Sequence, residues 1–128
     1  ILYNRPQGTV TVEARFEERE AIEHLALKSR GSENITEYFQ SMPLNEKNKK
    51  PLLLISIRDT GLGIPEIQQE KAFSSFFRGD NVVQKGISGT GLGLFIVKSI
   101  IEGLEGRIFF QSKENVGTTF YVVFPATS

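Results

Sequence analysis

The chain is 128 residues long and carries fifteen basic and fifteen acidic side chains, so no overall charge draws it to nucleic acid. It contains no cysteine, which excludes disulfides, thiolate metal sites and a cysteine nucleophile. No apolar run approaches the roughly 20 residues that a membrane helix needs, so we expect one soluble globular domain without membrane contact.

Four strands are predicted from the hydrophobic pattern. The first is a half-buried strand over residues 9–16, with its apolar side chains on one face: Val10, Val12, Ala14 and Phe16. The run 52–58 is too apolar for an edge and predicts a central strand. Two closing strands, 107–112 and 119–125, flank a turn at 114–117.

Two helices are predicted in the second half of the chain. Pro65 suits the first position of a short helix over residues 66–77, whose apolar side chains would be buried: Ile67, Phe73, Phe76 and Phe77. Helical spacing between Leu92 and Leu104 predicts a second helix with one apolar face: Leu94, Val97, Ile101 and Leu104.

Residues 17–50 form an insertion between the first two strands that is longer than a hairpin requires. Residues 34–37 resemble a capping box and predict a short helix with one apolar face: Ile35, Tyr38, Phe39 and Met42. Three interpretations are open. The insertion is a passive loop, which we favour, a docking element for another domain, or a replacement for a helix of this domain.

The first informative motif follows the central strand and reads Asp59-Thr60-Gly61-Leu62-Gly63-Ile64-Pro65. A carboxylate at a strand end can accept a hydrogen bond from an exocyclic amine such as adenine N6. Glycines beside it let the backbone approach a flat ring. A tight turn capped by Asp59 is the other interpretation, and the motif alone leaves both open.

The second motif, Ser88-Gly89-Thr90-Gly91-Leu92-Gly93-Leu94, leads into the last helix. Backbone N–H groups at a helix N-terminus bind phosphate where glycines allow close approach. No G-K-[ST] sequence is present, so this is not a P-loop, and the polar residues before it do not predict the strand of a Rossmann turn.

Taken together with Phe73-x-x-Phe76-Phe77-Arg78 between them, the two motifs resemble the G1, F and G2 boxes of the catalytic ATP-binding domain of sensor histidine kinases. Residues 117–120 are similar to this family's final strand motif. The family shares the Bergerat fold with type II topoisomerases, Hsp90 and MutL. The resemblance implies one α+β domain over residues 1–128, a two-layer α/β sandwich whose mixed, mostly antiparallel sheet is covered on one face by helices.

The resemblance also implies which residues contact the nucleotide. Asp59 would bond the adenine amine and reject guanine, helped by Thr119, with Thr118 as the competing candidate. Residues 79–90 would form a mobile lid, in which Lys85 is either a phosphate contact or a solvated charge. The other implied contacts are Tyr3, Gly61, Gly63, Ile64, Gly89, Thr90, Gly91, Leu92 and Gly93.

Arg78 is the implied catalytic residue, because a guanidinium at the root of the lid could offset the charge of the transferred phosphoryl group. A surface salt bridge is the alternative for Arg78. The three phenylalanines of the same motif are predicted to pack rather than to take part in chemistry: Phe73, Phe76 and Phe77.

The activity implied by the resemblance is transfer of the ATP γ-phosphoryl group, with Mg²⁺, to a histidine on a separate dimerisation domain of the same protein. A response regulator in a two-component pathway would be the further partner. The location would be cytoplasmic, in a parent that could be membrane-anchored. His24, the single histidine, lacks the family's acceptor pattern and is predicted to be a solvated loop residue.

The sequence departs from the family at its start. Residues 1–6 align with the end of the family's N box, so the asparagine that ligates Mg²⁺ would lie upstream of Ile1, and no residue of this chain is predicted to bind metal. Leu2 stands where a phosphate-binding lysine is common. We therefore expect a fragment that is inactive alone. A non-catalytic nucleotide-binding or interaction module is the alternative function, and a serine-directed anti-sigma kinase of this fold is a third.

Overall fold

A computed structural model describes residues 8–41, 51–73 and 93–125 of the chain. Within them, four strands form one antiparallel sheet in the order β1-β2-β4-β3. The strands are β1 (Val10–Glu17), β2 (Leu52–Asp59), β3 (Arg107–Lys113) and β4 (Gly117–Pro125). The helices are α1 (Arg19–Leu27), α2 (Ile35–Ser41) and α3 (Gly93–Gly103), with a 3₁₀ helix at Glu66–Lys71. All four predicted strands are confirmed, with small differences at their ends.

The strand β2 lies in the interior of the sheet, as its apolar run predicted, between β1 and β4. Its even-numbered side chains, Leu52 and Leu54, are buried against α1 and α2. Its odd-numbered Ile55 packs towards α3 on the opposite face. Because both faces are covered there, the strand is apolar at successive positions rather than at alternate ones.

The two faces of the sheet carry separate hydrophobic clusters. On one face, Ile101 of α3 packs on Ile108 and Val122. On the other face, Phe109 and Val123 pack against the two helices of the insertion. The alternation of side chains along β3 and β4 therefore supplies both layers of the core.

The insertion is folded onto the sheet between residues 19 and 41, so the interpretation as a passive loop is wrong for this part. Ile22 of α1 is fully buried and Phe39 of α2 almost so, in one cluster with strand residues. The predicted helix is confirmed as α2, and its Ile35 and Tyr38 are buried; Met42 lies outside the described residues. His24 is exposed as predicted, but it lies on α1 and not in a loop.

Backbone hydrogen bonds and a tyrosine fasten the insertion to the rest of the chain. Arg30 pairs with Phe110 of β3 through two backbone bonds of 2.7 and 2.9 Å. The Tyr38 hydroxyl donates to the Glu105 carbonyl at 2.7 Å, and the Arg107 guanidinium lies 4.4 Å from the centre of its ring. Burial raises the pKa of Tyr38 to about 12, opposed by the Arg107 cation and assisted by Glu105.

The α+β class and the antiparallel sheet are confirmed, and the helices of the insertion add a layer on the second face. The half-burial predicted for β1 is wrong, since Val12 and Phe16 are 63% and 65% exposed. These side chains lie on the α3 side of the sheet, and neither belongs to a hydrophobic cluster of the described residues.

Two helix predictions need correction. Residues 66–71 form a 3₁₀ helix in which Ile67 is 89% exposed, whereas Gln69 and Ala72 are buried. On α3, Leu94 and Ile101 contact the core as predicted, but two other members of the predicted face are exposed: Val97 and Leu104. No helix in the described part of the chain is long and apolar enough to cross a membrane.

Candidate functional site

Asp59 is the last residue of β2 and is 5% exposed. Its Oδ1 accepts a hydrogen bond of 2.9 Å from the backbone N–H of Gly61, which closes the turn after the strand. Among hydrogen bonds between described residues, none engages the second oxygen, Oδ2. The turn cap and the ligand contact are therefore compatible, because each requires a different oxygen of the same carboxylate.

Thr118, rather than Thr119, lies on the Asp59 side of the sheet. Asp59 is paired with Thr118 in the β2–β4 register, whereas Thr119 is paired with Arg58. Neighbouring side chains of a strand point to opposite faces, so Thr119 belongs to the face that α1 and α2 cover in part. Thr118 is also buried, with 7% exposure. The register therefore brings Thr118, and not Thr119, to the face of the sheet that carries the Asp59 side chain.

The loop after Asp59 is held by the β3–β4 hairpin. The Ile64 backbone N–H donates to the Ser112 hydroxyl oxygen at 2.7 Å, and this oxygen lies 2.7 Å from the Thr118 hydroxyl. The buried Gln69 amide donates to the carbonyl oxygens of Ile64 and Ser112, at 2.9 and 3.0 Å. This network fixes the position of the loop relative to the strand that carries Asp59.

Gly63 allows the close approach between the loop and the hairpin. Its φ is +68°, a left-handed conformation that residues with a Cβ rarely adopt. A Cβ at this position would overlap the Lys113 carbonyl oxygen. The adjacent Leu62 carbonyl accepts a hydrogen bond of 2.7 Å from the Asn115 backbone N–H. Here the glycine is required by backbone packing within the protein, whatever it also offers a ligand.

One hydrophobic cluster brings parts of the three sequence motifs together. Ile64 of the first motif and Leu94, at the end of the second, pack in the same cluster as Phe73. Phe73 makes an edge-to-face contact with Phe110, with ring centroids 5.5 Å apart, so its predicted packing role is confirmed. The first turn of α3 is thereby set near the loop that follows Asp59.

Gly93, the last glycine of the second motif, is the first residue of α3, at the N-terminus that would face a phosphate. The other predicted residues lie outside the described ranges, and their roles stay predictions: Tyr3, Phe76, Phe77, Arg78, Lys85, Gly89, Thr90, Gly91 and Leu92.

Within the described ranges, no group of three or more His, Cys, Asp or Glu side chains could hold a metal ion. The described residues therefore do not fit a Mg²⁺ site of their own.

Sequence reasoning missed the residues that hold the loop in place. Gln69 and Ser112 are 43 positions apart, and no local pattern predicts their contact. Thr118 could have been found from the alternation of side chains. It shares a face of β4 with Phe120 and Val122, and Asp59 shares a face of β2 with Ile55 and Ile57. The apolar residues show that these two faces are one side of the sheet.

The similarity of the chain to known proteins agrees with this arrangement of the site. Residues 5–128 match the profile of the family described as histidine kinase-, DNA gyrase B-, and HSP90-like ATPase, and the chain belongs to this family. Family membership supports ATP binding and confirms the resemblance drawn from the motifs.

Two relatives of the chain are sensor kinases. The sensor protein kinase WalK of Staphylococcus aureus is 36% identical over 97 residues, which are 76% of this chain and 22% of WalK. The autoinducer 2 sensor kinase/phosphatase LuxQ of Vibrio vulnificus is 40% identical over 79 residues, which are 62% of this chain and 9% of LuxQ. The chain thus spans a small part of the length of these relatives.

A solved structure shows the same fold. The mycobacterial sensor histidine kinase MprB superposes with a TM-score of 0.59 at 21% identity, over 96% of this chain and 62% of that chain.

Proposed function

We propose that this chain is the ATP-binding catalytic domain of a two-component sensor histidine kinase, in which Asp59 recognises adenine. The observation that carries the proposal is the Asp59 carboxylate, buried at the end of an interior strand with one oxygen closing the turn. The second oxygen is the acceptor that an adenine amine requires. Gly61 and Gly63 stand in the loop beside it.

This arrangement favours adenine over guanine. Adenine presents an N6 amine, which can donate to Asp59, whereas guanine presents a carbonyl oxygen at the same position. A buried carboxylate that faces a carbonyl oxygen gains no hydrogen bond and is repelled, so the penalty for the wrong base is large. Thr118, which lies across from Asp59 in the sheet, takes the supporting role in place of Thr119.

The phosphates would be bound at the start of α3. The first N–H groups of a helix have no partner within the helix, and the helix dipole favours negative charge there, so the backbone of the glycine motif 89–93 would supply the donors. Leu94 and Ile64 share one cluster, so the position of this terminus is coupled to that of the loop after Asp59. In the proposal, Arg78 offsets charge on the phosphoryl group during transfer.

The reaction forms a bond between phosphorus and a histidine nitrogen and breaks the bond between the γ-phosphorus and the β–γ bridging oxygen, which leaves with ADP. His24 is not suited as the acceptor, because it lies on α1, which packs on the face of the sheet opposite to α3. The acceptor would be a histidine of a separate dimerisation domain of the parent protein, and a response regulator would receive the phosphoryl group. As part of this proposal, the domain is located in the cytoplasm.

The test is a transfer assay on the parent protein that contains this chain and its upstream histidine-bearing domain. With ATP labelled in the γ-phosphate, we expect a labelled phosphoprotein that is labile in acid and stable in alkali, as a phosphorylated histidine is. The Asp59→Asn variant should form it at least about tenfold more slowly at low ATP concentration, since a hydrogen bond to a charged group is lost. ATP binding without any transfer would instead support a non-catalytic nucleotide-binding module, and the absence of both would contradict the proposal.

A further inference from the structure

The strand β1 forms one edge of the sheet, and no described residue pairs with its outer side. The Thr60 backbone N–H donates to the Thr9 carbonyl at 3.1 Å, so Thr9 turns its carbonyl towards β2. Backbone groups alternate in direction along an antiparallel strand. The even-numbered residues of β1 therefore point their N–H and C=O groups outwards: Val10, Val12, Ala14 and Phe16.

The side chains of β1 divide between the two faces of the sheet. One face is apolar and exposed, most of all at Val12 and Phe16. The other face carries charges of alternating sign at Glu13, Arg15 and Glu17, and Arg15 already pairs with Glu17 at 2.6 Å. A strand of eight residues with outward backbone groups can accept another strand, and charges on such an edge normally discourage this.

A second copy of β1 can meet this edge without charge repulsion when the two strands pair in antiparallel orientation about Ala14. With a two-fold axis at Ala14, this residue faces the partner's Ala14 as a hydrogen-bonded pair. Glu13 then faces the partner's Arg15, and Val12 faces the partner's Phe16. The Glu13 pairs are of the non-hydrogen-bonded kind, in which side chains lie closest. Because the axis repeats every contact, two ion pairs and two apolar pairs form.

The registers with an axis at either adjacent residue are disfavoured by charge, and those with an axis between two residues are excluded by backbone direction. An axis at Glu13 sets this residue against the partner's Glu13. An axis at Arg15 sets Arg15 against the partner's Arg15 and Glu13 against the partner's Glu17. An axis between two residues would pair an outward backbone group with an inward one and would place the apolar faces on opposite sides.

We propose that β1 is a self-association edge, at which two copies of this chain pair in antiparallel orientation about Ala14 and join their four-stranded sheets into one. The charges that protect the edge against other strands make it complementary to itself. This association goes beyond nucleotide binding and does not depend on it.

Sedimentation velocity of the 128-residue chain over a range of concentrations tests the proposal. The wild-type chain should show a concentration-dependent dimer. Glu13→Arg and Arg15→Glu each set like charges against each other twice, so each should weaken dimerisation by about tenfold. The double variant exchanges the two charges and should regain the dimer. Glu23→Arg, an exposed change on α1, should leave the dimer unaffected.

Mixing the two single variants gives the sharpest result. In the mixed pair every charge at positions 13 and 15 faces its opposite, so the mixture should dimerise although neither variant does so alone. Nucleotide affinity should be equal in all variants, which separates this test from that of the proposed function.

Cross-linking supplies an independent measurement, because the chain has no cysteine of its own. Ala14→Cys should form a disulfide-linked dimer on mild oxidation, since Cα atoms of a hydrogen-bonded antiparallel pair are about 5.5 Å apart. Leu27→Cys, exposed on α1, should not. A wild-type chain that stays monomeric at millimolar concentration would overturn the proposal and leave the edge to a strand of another protein. Charge reversals without effect would also overturn it.

Discussion

Gly63 shows how strongly one backbone position constrains the site. It adopts a left-handed φ, and its α-carbon faces the Lys113 carbonyl, so the loop after Asp59 touches the hairpin backbone directly. The loop would have to move away from the hairpin to accommodate any side chain there.

We therefore expect Gly63→Ala to lower the free energy of unfolding by about 1–3 kcal/mol, the cost of a left-handed non-glycine residue, before any cost of the overlap. It should also weaken ATP binding, because the loop shifts. Gly103→Ala is the matched control, since a Cβ at this helical position meets nothing within 4 Å. It should be neutral or stabilising by up to about 1 kcal/mol. Chemical denaturation measures both, and equal effects would contradict the assigned role of Gly63.

Tyr38 provides a pH-dependent readout of the contact between the insertion and the α3–β3 turn. Burial raises the pKa of the folded tyrosine to about 12, against about 10 in the unfolded chain. The native state therefore holds the proton more tightly. The stabilisation is complete below pH 10 and is lost as the pH rises from 10 to 12.

The free energy of unfolding of the Tyr38→Phe variant should not show this loss between pH 10 and pH 12, because phenylalanine has no proton to release. The variant also loses the hydrogen bond to Glu105 at every pH. Denaturation of both proteins between pH 9 and pH 12 measures the difference, in which the titration of other groups cancels. Parallel stability curves for the two proteins would show that Tyr38 titrates normally.

At the scale of elements, the helices of the insertion behave as part of the core. Phe39 of α2 and Ile22 of α1 are as buried as Phe109 in the sheet. We expect Phe39→Ala to destabilise the domain by about 3–5 kcal/mol, the usual cost of emptying a buried aromatic site. Thermal and chemical denaturation measure this loss.

Leu27→Ala is the control on the neighbouring helix, because Leu27 is 85% exposed. It should change the free energy of unfolding by no more than about 0.5 kcal/mol. If Phe39→Ala were equally mild, α1 and α2 would not be packed on the sheet as described.

The strands could be predicted from sequence, because alternation and apolar runs are local signals. The strand β2 and its interior position follow from the run of apolar residues at 52–55. The exposure of β1 could not be predicted this way. Its pattern states which side chains share a face, but whether anything covers that face depends on the rest of the fold.

The position of Asp59 and of the glycines in its loop could also be predicted from the sequence, because the residues of a motif follow one another in the chain. The hydrogen-bond network through Ser112 and Gln69 could not be predicted from the sequence, since it joins positions that only the folded sheet brings together. Ile67 was predicted to be buried on helical spacing, and the tighter 3₁₀ turn buries Gln69 instead.

At the scale of the whole molecule, one sheet supports two different surfaces. The α3 side carries the end of β2 with Asp59, and the cluster around Ile64, Phe73 and Leu94 couples the three motifs. The insertion covers part of the other side and is fastened to the outer edge of β3 through Arg30. The proposed nucleotide site thus lies on one face of the sheet, and the insertion packs on the opposite face.

The selectivity of the chain for adenine is the most direct test of the proposed role of Asp59. Calorimetric titration with ATP and with GTP should be carried out on the wild type, on Asp59→Asn and on the exposed control Glu23→Gln. We predict that the wild type and the control bind ATP more tightly than GTP. Asp59→Asn should lose at least about tenfold in ATP affinity while keeping its thermal stability, because the asparagine oxygen can still close the turn at Gly61. An Asp59→Asn variant that binds ATP as tightly as the wild type would contradict the assignment of Asp59 to adenine.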